Sequence, residues 1–187
     1  MNSPPIRCQW VNQDPEYIAY HDNEWGKPTK DNQQLFEMIC LEGQQAGLSW
    51  YTILKKRQNY RELFHQFDPK KVALMTEGDV ERLMQDPRII RNRAKINAII
   101  ANAKAYLQMA ENGEEFSSFI WQFVNNQPIV NQWRSSSQVP AETELSKTLS
   151  KALKKRGFKF VGSITCYAFM QATGMINDHL MGCCQYK

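Results

Sequence analysis

The chain has 187 residues, 42% of them hydrophobic, enough for one well-packed domain or two small lobes and too apolar for a disordered polymer. The net charge is a modest +4, and no apolar run is long enough to span a bilayer. The opening MNSPPIRCQW has neither a basic start nor an apolar signal core, and five unevenly spaced cysteines favour reduced thiols or metal ligands over disulfides, so a cytoplasmic protein is expected.

In chain order, Cys8 to Gly26 is crowded with Trp10, Tyr17, Tyr20 and Trp25, beside Cys8 and His21. Asp14-Pro15 is a helix start that places Tyr17 and Tyr20 on one face. Asp31 with Gln34 resembles a capping box for a helix carrying Leu35, Met38, Ile39 and Ala46 at apolar spacing. Glu42 falls on that same face. A core-facing carboxylate costs several kcal/mol unless a partner satisfies it, so either an internal cation or a ligand is expected to meet Glu42. Gly47 should stop this helix, leaving Leu48 apolar at an exposed tip, and Ser49 should cap a second helix running from Trp50 towards Phe64.

Asp68-Pro69 opens a short helix through Met75, and Thr76 with Asp79 opens another ending near Gln85. Residues 79–104 then read as helix, turn, helix, with Arg91, Arg93 and Lys95 at the start of a long Ala-rich helix that stops before Gly113. Such an arrangement can present backbone N–H groups and a positive dipole end to a phosphate, although a Gly-rich hairpin is absent and an ordinary connection would look similar. Phe116 to Phe123 forms a short apolar helix. Asn125 to Glu144 is polar, contains Pro128 and Pro140, and is expected to be a mobile connection. Leu145 to Arg156 is a basic helix closed by Gly157, and Ser163 should cap a final helix through Ala172. No strand alternation long enough for a sheet is visible, so the fold class is all-α.

Two cationic stretches, residues 88–110 and 145–177, contain no acid, whereas 14–42 carries seven. Each run alone reads as a solvated helix face; together they favour a polyanionic partner. His179 and Cys183 lie one helical turn apart, and Cys8 and His21 complete a Cys2His2 set if the Asp14 helix folds back, a standard closed zinc shell with a structural role.

YHDNEWG (20–26), LFEMICLEGQQAGLSW (35–50), IIRNRAKI (89–96), FKFVG (158–162) and NDH followed by Cys183 resemble the 3-methyladenine DNA glycosylase I family over nearly the whole chain. The resemblance implies an all-α helix-hairpin-helix glycosylase fold with two lobes: 1–30 plus 145–187, holding structural Zn2+ on Cys8, His21, His179 and Cys183, and 31–144, with the hairpin at about 79–104. It implies hydrolytic removal of N3-methyladenine from double-stranded DNA by a monofunctional enzyme, expected to be a monomer. Glu42 would bind the adenine edge and act in catalysis. Tyr20 and Trp50 would stack on the base, with Trp10, Tyr17 and Trp25 completing the aromatic wall. Leu48 would wedge into the vacated stack, and Arg91, Arg93 and Lys95 would contact DNA. The aspartate that many relatives in the superfamily place after the hairpin is missing, since Asp178 is the only Asp beyond Lys95. A non-catalytic DNA-binding module and a zinc-stapled domain caging a methylated cation are the competing classes.

Overall fold

Local capping chemistry sets most helix starts in the computed structural model, which describes residues 3–187. Asp14 accepts from the Glu16 N–H at the start of α1 (Pro15–Asn23), and Asp31 accepts from the Gln34 N–H at the start of α2 (Asn32–Gln44). The expected box at Asp31 is half formed, because the Gln34 side chain accepts from the Thr29 hydroxyl instead. Ser49 caps α3 (Trp50–Leu63). Then follow α4 (Pro69–Val72), α5 (Glu77–Met84) with a full Thr76/Asp79 box, and α6 (Arg93–Glu111), capped by Asn92.

α7 (Phe116–Trp121), α8 (Glu144–Lys155) and α9 (Ser163–Ala172) complete the helices. Ser163 is the first residue of α9 rather than its cap. Gly162 stands at that position without a side chain, and the Ser163 hydroxyl donates to Glu142.

Two expectations are corrected. Residues 125–144 are anchored along their length: β1 (Ile129–Val130) pairs in parallel with β2 (Ile176–Asn177), and the Met181 N–H donates to the Trp133 carbonyl at 2.9 Å. A two-residue ladder has no alternation to read from sequence. His179 and Cys183 lie in a turn-rich loop, not on a helix, yet face each other.

The organising element is α2. Every residue from Leu35 to Gln44 is buried, because α3, α6, α7 and α9 surround it, and the main apolar core runs unbroken from α2 to Cys166, Tyr167 and Phe169 on α9. Such a helix places two carboxylates in the interior. Glu37 is answered by a two-pronged Arg61 at 2.5 and 2.9 Å; Glu42 is not answered by any side chain among the described residues. Past α2 the chain turns through Gly47 at φ +77°, a backbone region that glycine enters without strain, and leaves Leu48 exposed. A smaller cluster of Tyr17, Tyr20 and Leu54, with Trp10, Trp25, Trp50 and Tyr51 against it, packs α1 onto α3.

Candidate active site and metal centre

α1, α2 and α3 bring their aromatic and acidic residues to one cavity of about 430 Å3. Trp10, Tyr17, Tyr20, Trp25, Glu42 and Trp50, drawn from three separate stretches of sequence, all line it. Trp10 lies 5.1 Å from Tyr17 and 5.0 Å from Trp25 between ring centroids, and Tyr20 lies 5.5 Å from Trp50. Rings at these spacings already touch, so Tyr20 and Trp50 form one wall for a planar ligand rather than two jaws around it.

The polar content of the cavity is unusual. Glu42 Oε2 and Trp50 Nε1 are buried without a hydrogen-bond partner, an acceptor and a donor turned on the same space. Buried polar groups are almost always paired, so a matched couple of orphans in a cavity marks a place for a ligand with a donor and an acceptor of its own. Burial pushes the Glu42 carboxyl up to about 8, which is the cost of having no cation nearby. Of the two partners open at the outset for Glu42, no cation among the described residues fills the role: the buried ammonium of Lys95 is spent on the carbonyls of Gln44 and Ala46.

Asp178 also lines the cavity and was not recognised as part of it from sequence. Its carboxylate accepts from Asn131, Trp133, Tyr167 and Gln171, so it ties the 125–144 segment to α9. Gln45, Ser136, Val139, Ala168, Gln171 and Leu180 complete the lining. Asp178 and Gln45 sit inside the NDH and 35–50 motifs, but only the fold gathers these residues around one cavity.

Next to the cavity, Cys8, His21, His179 and Cys183 are all buried, with their ligating atoms within 4.8 Å of one another. Cys183 Sγ lies 3.4 Å from His21 Nε2 and 3.5 Å from His179 Nδ1, and Cys8 Sγ lies 3.8 Å from His179 Nδ1. These are close to the edges of a tetrahedron built on about 2.3 Å sulfur and 2.0 Å nitrogen bonds. The outer nitrogens are occupied as a metal site requires: His21 Nδ1 meets Asp22 at 2.7 Å, and His179 Nε2 meets the Trp25 carbonyl at 2.8 Å. Burial lowers both imidazoles, His179 to about 4, which holds them in the neutral ligand form. The four residues can hold a metal ion.

The residues expected at DNA divide. Leu48 is 40% exposed at its tip and Arg91 is exposed. Arg93 is exposed but paired with Glu77 and Glu81, at 2.8 and 2.7 Å. Lys95 is corrected: it is 6% exposed, and its ammonium turns inward to the Gln44 and Ala46 carbonyls instead of standing free on the surface. The hairpin expectation also meets a rival. α6 starts on a side-chain cap, Asn92, whereas α9 starts without one, after a link through Gly157 and Phe160 at positive φ and beside Lys159.

The family model described as methyladenine glycosylase matches residues 10–186. The chain belongs to that family. It is 68% identical over 180 residues to DNA-3-methyladenine glycosylase 1 of Escherichia coli (strain K12), covering 96% of each chain. It is 63% identical over 177 residues to DNA-3-methyladenine glycosylase of Haemophilus influenzae, covering 95% of this chain and 96% of that one. Its fold is similar to a solved structure of 3-methyladenine DNA glycosylase I from Staphylococcus aureus that concerns 3-methyladenine recognition, with TM-score 0.93, 41% identity and coverage of 97% and 96%. For this glycosylase family member, the cavity and its orphaned polar pair are the place to look for the base.

Proposed function

We infer that this protein is a monofunctional DNA repair glycosylase that flips N3-methyladenine out of alkylated double-stranded DNA and hydrolyses its N-glycosidic bond, leaving an abasic site. The observation that carries the reading is the unpartnered Glu42 carboxyl inside an aromatic cavity of a methyladenine glycosylase family member. Family membership displaces the competing classes, the non-catalytic DNA module and the methylated-cation cage.

The chemistry suits the residues. Methylation at N3 makes the base cationic, so the bond to the sugar is weak and the leaving group needs no proton from the enzyme. Aromatic faces attract the cation, with Tyr20 and Trp50 as the stacking wall, and Glu42 accepts from the exocyclic amino group. Guanine offers a carbonyl where adenine has its amino group and would face a carboxylate acceptor, so Glu42 selects as well as binds. When the bond breaks, its electron pair stays on the base, which becomes neutral, and water adds to the sugar and loses a proton. Glu42 is negative while the base is positive, and the cavity excludes bulk water around them.

The division into lobes 1–30 plus 145–187 and 31–144 puts the cavity at their junction, since residues of both line it. Leu48, apolar and exposed on its tip, would enter the stack that the base has left. Arg91 and the uncapped start of α9 with Lys159 are the better candidates for phosphates. Cys8, His21, His179 and Cys183 would hold Zn2+, whose contribution is to cross-link the two chain ends; four protein ligands leave it no part in hydrolysis. We place the enzyme in the cytoplasm as a monomer, with DNA as its partner.

Chromatography of bases released from methylated duplex DNA tests the reading. Release of 3-methyladenine, reduced about a hundredfold or more in Glu42→Gln, is expected. Absence of release by the wild type, or an undiminished rate in Glu42→Gln, sinks it.

A further inference from the structure

The tip that carries Leu48 is poorly supported. Ala46, Gly47, Leu48 and Ser49 are all exposed, and a Cβ added at Gly47 would meet nothing within 4 Å. Within the tip, the Leu48 N–H closes a turn on the Gln45 carbonyl at 2.7 Å. Among the described residues, one side chain from another element bonds to residues 45–48: Lys95, whose Nζ donates to the Ala46 carbonyl at 2.7 Å and to the Gln44 carbonyl at 2.8 Å.

Lys95 is itself fixed. It lies in the first turn of α6, where its N–H donates to the Asn92 cap, and its carbonyl accepts from Gln44 Nε2 at 3.0 Å, so Lys95 and Gln44 are stitched in both directions. The Gln44 amide oxygen in turn accepts from Tyr60, whose hydroxyl accepts from the Ile90 N–H. The last carbonyls of a helix have no intrahelical partner and form its negative end, and the Lys95 ammonium bonds one of them, that of Gln44, together with the Ala46 carbonyl just beyond the helix. A surface lysine that served phosphate would not be buried among backbone carbonyls.

We propose that Lys95 is the positioning residue of the Leu48 wedge, its ammonium holding the end of α2 and the tip at the angle from which Leu48 enters the base stack. The proposal rests on the reading of Leu48 as a wedge. A stiff tip enters the duplex in one orientation; a loose one loses that orientation each time a base is flipped. Lys95 acts through the tip and touches neither the base nor the sugar.

The test compares wild type, Lys95→Met, Leu48→Ala and the double variant for single-turnover release of 3-methyladenine from methylated duplex DNA. Tryptophan fluorescence in parallel follows binding of the free base 3-methyladenine. Methionine keeps the apolar stem of Lys95 and removes its charge. The expected result is a loss of roughly tenfold or more in Lys95→Met, with free-base affinity within about twofold of wild type and no further loss when it is added to Leu48→Ala. The salt dependence of DNA binding should keep its slope, because no phosphate contact is removed.

A slope shallower by about one unit would return Lys95 to the phosphate backbone and overturn the proposal. Full additivity with Leu48→Ala, or an undiminished rate in Lys95→Met, would also overturn it. If Lys95→Met no longer binds free base, Lys95→Gln, which keeps one donor, is put through the same cycle under the same criteria. Failure of the underlying reading looks different: Leu48→Ala would then excise at the wild-type rate.

Discussion

Replacing Glu42 by glutamine should make the substrate-free protein more stable near neutral pH while it disables excision. In the folded chain the carboxyl titrates near 8, against an ordinary 4.5, and desolvation is the cause. A raised carboxyl disfavours folding wherever the unfolded chain would ionise it. Its neutral form is tolerated below about 4.5, the penalty grows as pH rises from there, and it levels off above about 8. At about 1.4 kcal/mol per unit, the cost is about 3 kcal/mol at pH 7 and reaches about 5 kcal/mol above the folded value. Glutamine keeps the shape and cannot ionise, so urea unfolding from pH 4.5 to 8.5 should show the two proteins diverging by about 2–3 kcal/mol at pH 7, glutamine the more stable. Excision should move the other way. For wild type, kcat/KM should climb towards a plateau near pH 8 as free Glu42 ionises, and the rise should be absent in the variant. Parallel stability curves for the two proteins, or a wild-type kcat/KM that is flat from pH 6 to 9, would refute the argument that Glu42 is an uncompensated acid waiting for a cation.

Asp178→Ala strands four donors at once, and at about 1.5–3 kcal/mol for a hydrogen bond to a charged group it should cost at least about 4 kcal/mol in urea unfolding, with new proteolytic cuts within 125–144. Gly174→Ala should prevent folding or cost at least about 3 kcal/mol, because an added Cβ would lie 2.2 Å from the Lys27–Pro28 peptide at a φ of +74°; a soluble variant with an unchanged melting temperature would contradict the packing. The purified protein should contain about one zinc per chain by mass spectrometry, and Cys183→Ser or prolonged chelation should lower its melting temperature by several degrees.

What the sequence shows of this protein, and what it hides, follows from the range of the forces. Helix starts are legible because an N-cap bonds two or three residues ahead, and Asp14, Asp31, Ser49 and Thr76 all do so. The inward phase of Glu42 is legible for the same reason, as helical periodicity is local. Polarity misled at 125–144, where Asn131 and Trp133 find their acceptor in Asp178, 47 and 45 residues away. It misled again at Lys95, because a run of positive charges does not say which members turn inward to carbonyls. Spacing suggested a helical turn between His179 and Cys183, and the two do meet, but in a loop held by β2 and Trp133.

The buried Cys8, His21, His179 and Cys183 group and the aromatic cavity share a wall. Cys8 belongs to both. The Trp25 carbonyl accepts from His179, its ring meets His179 edge-on at 4.7 Å, and the same ring lines the cavity. Trp10 packs at 5.2 Å against His21 on one side and at 5.0 Å against Trp25 on the other. The aromatic wall is built mainly from the N-terminal stretch, where α1 is only nine residues long and has little core of its own. Short helices owe their stability to what they pack against. Bringing Cys8 and His21 against His179 and Cys183 of the C-terminal loop therefore fixes the rings. Glu42 and Trp50 reach the same cavity from α2 and α3, and Lys95 bonds the carbonyl that ends α2. One side of the pocket thus rests on the four-residue group that brings the chain ends together, and the other on α2, whose last carbonyl Lys95 bonds.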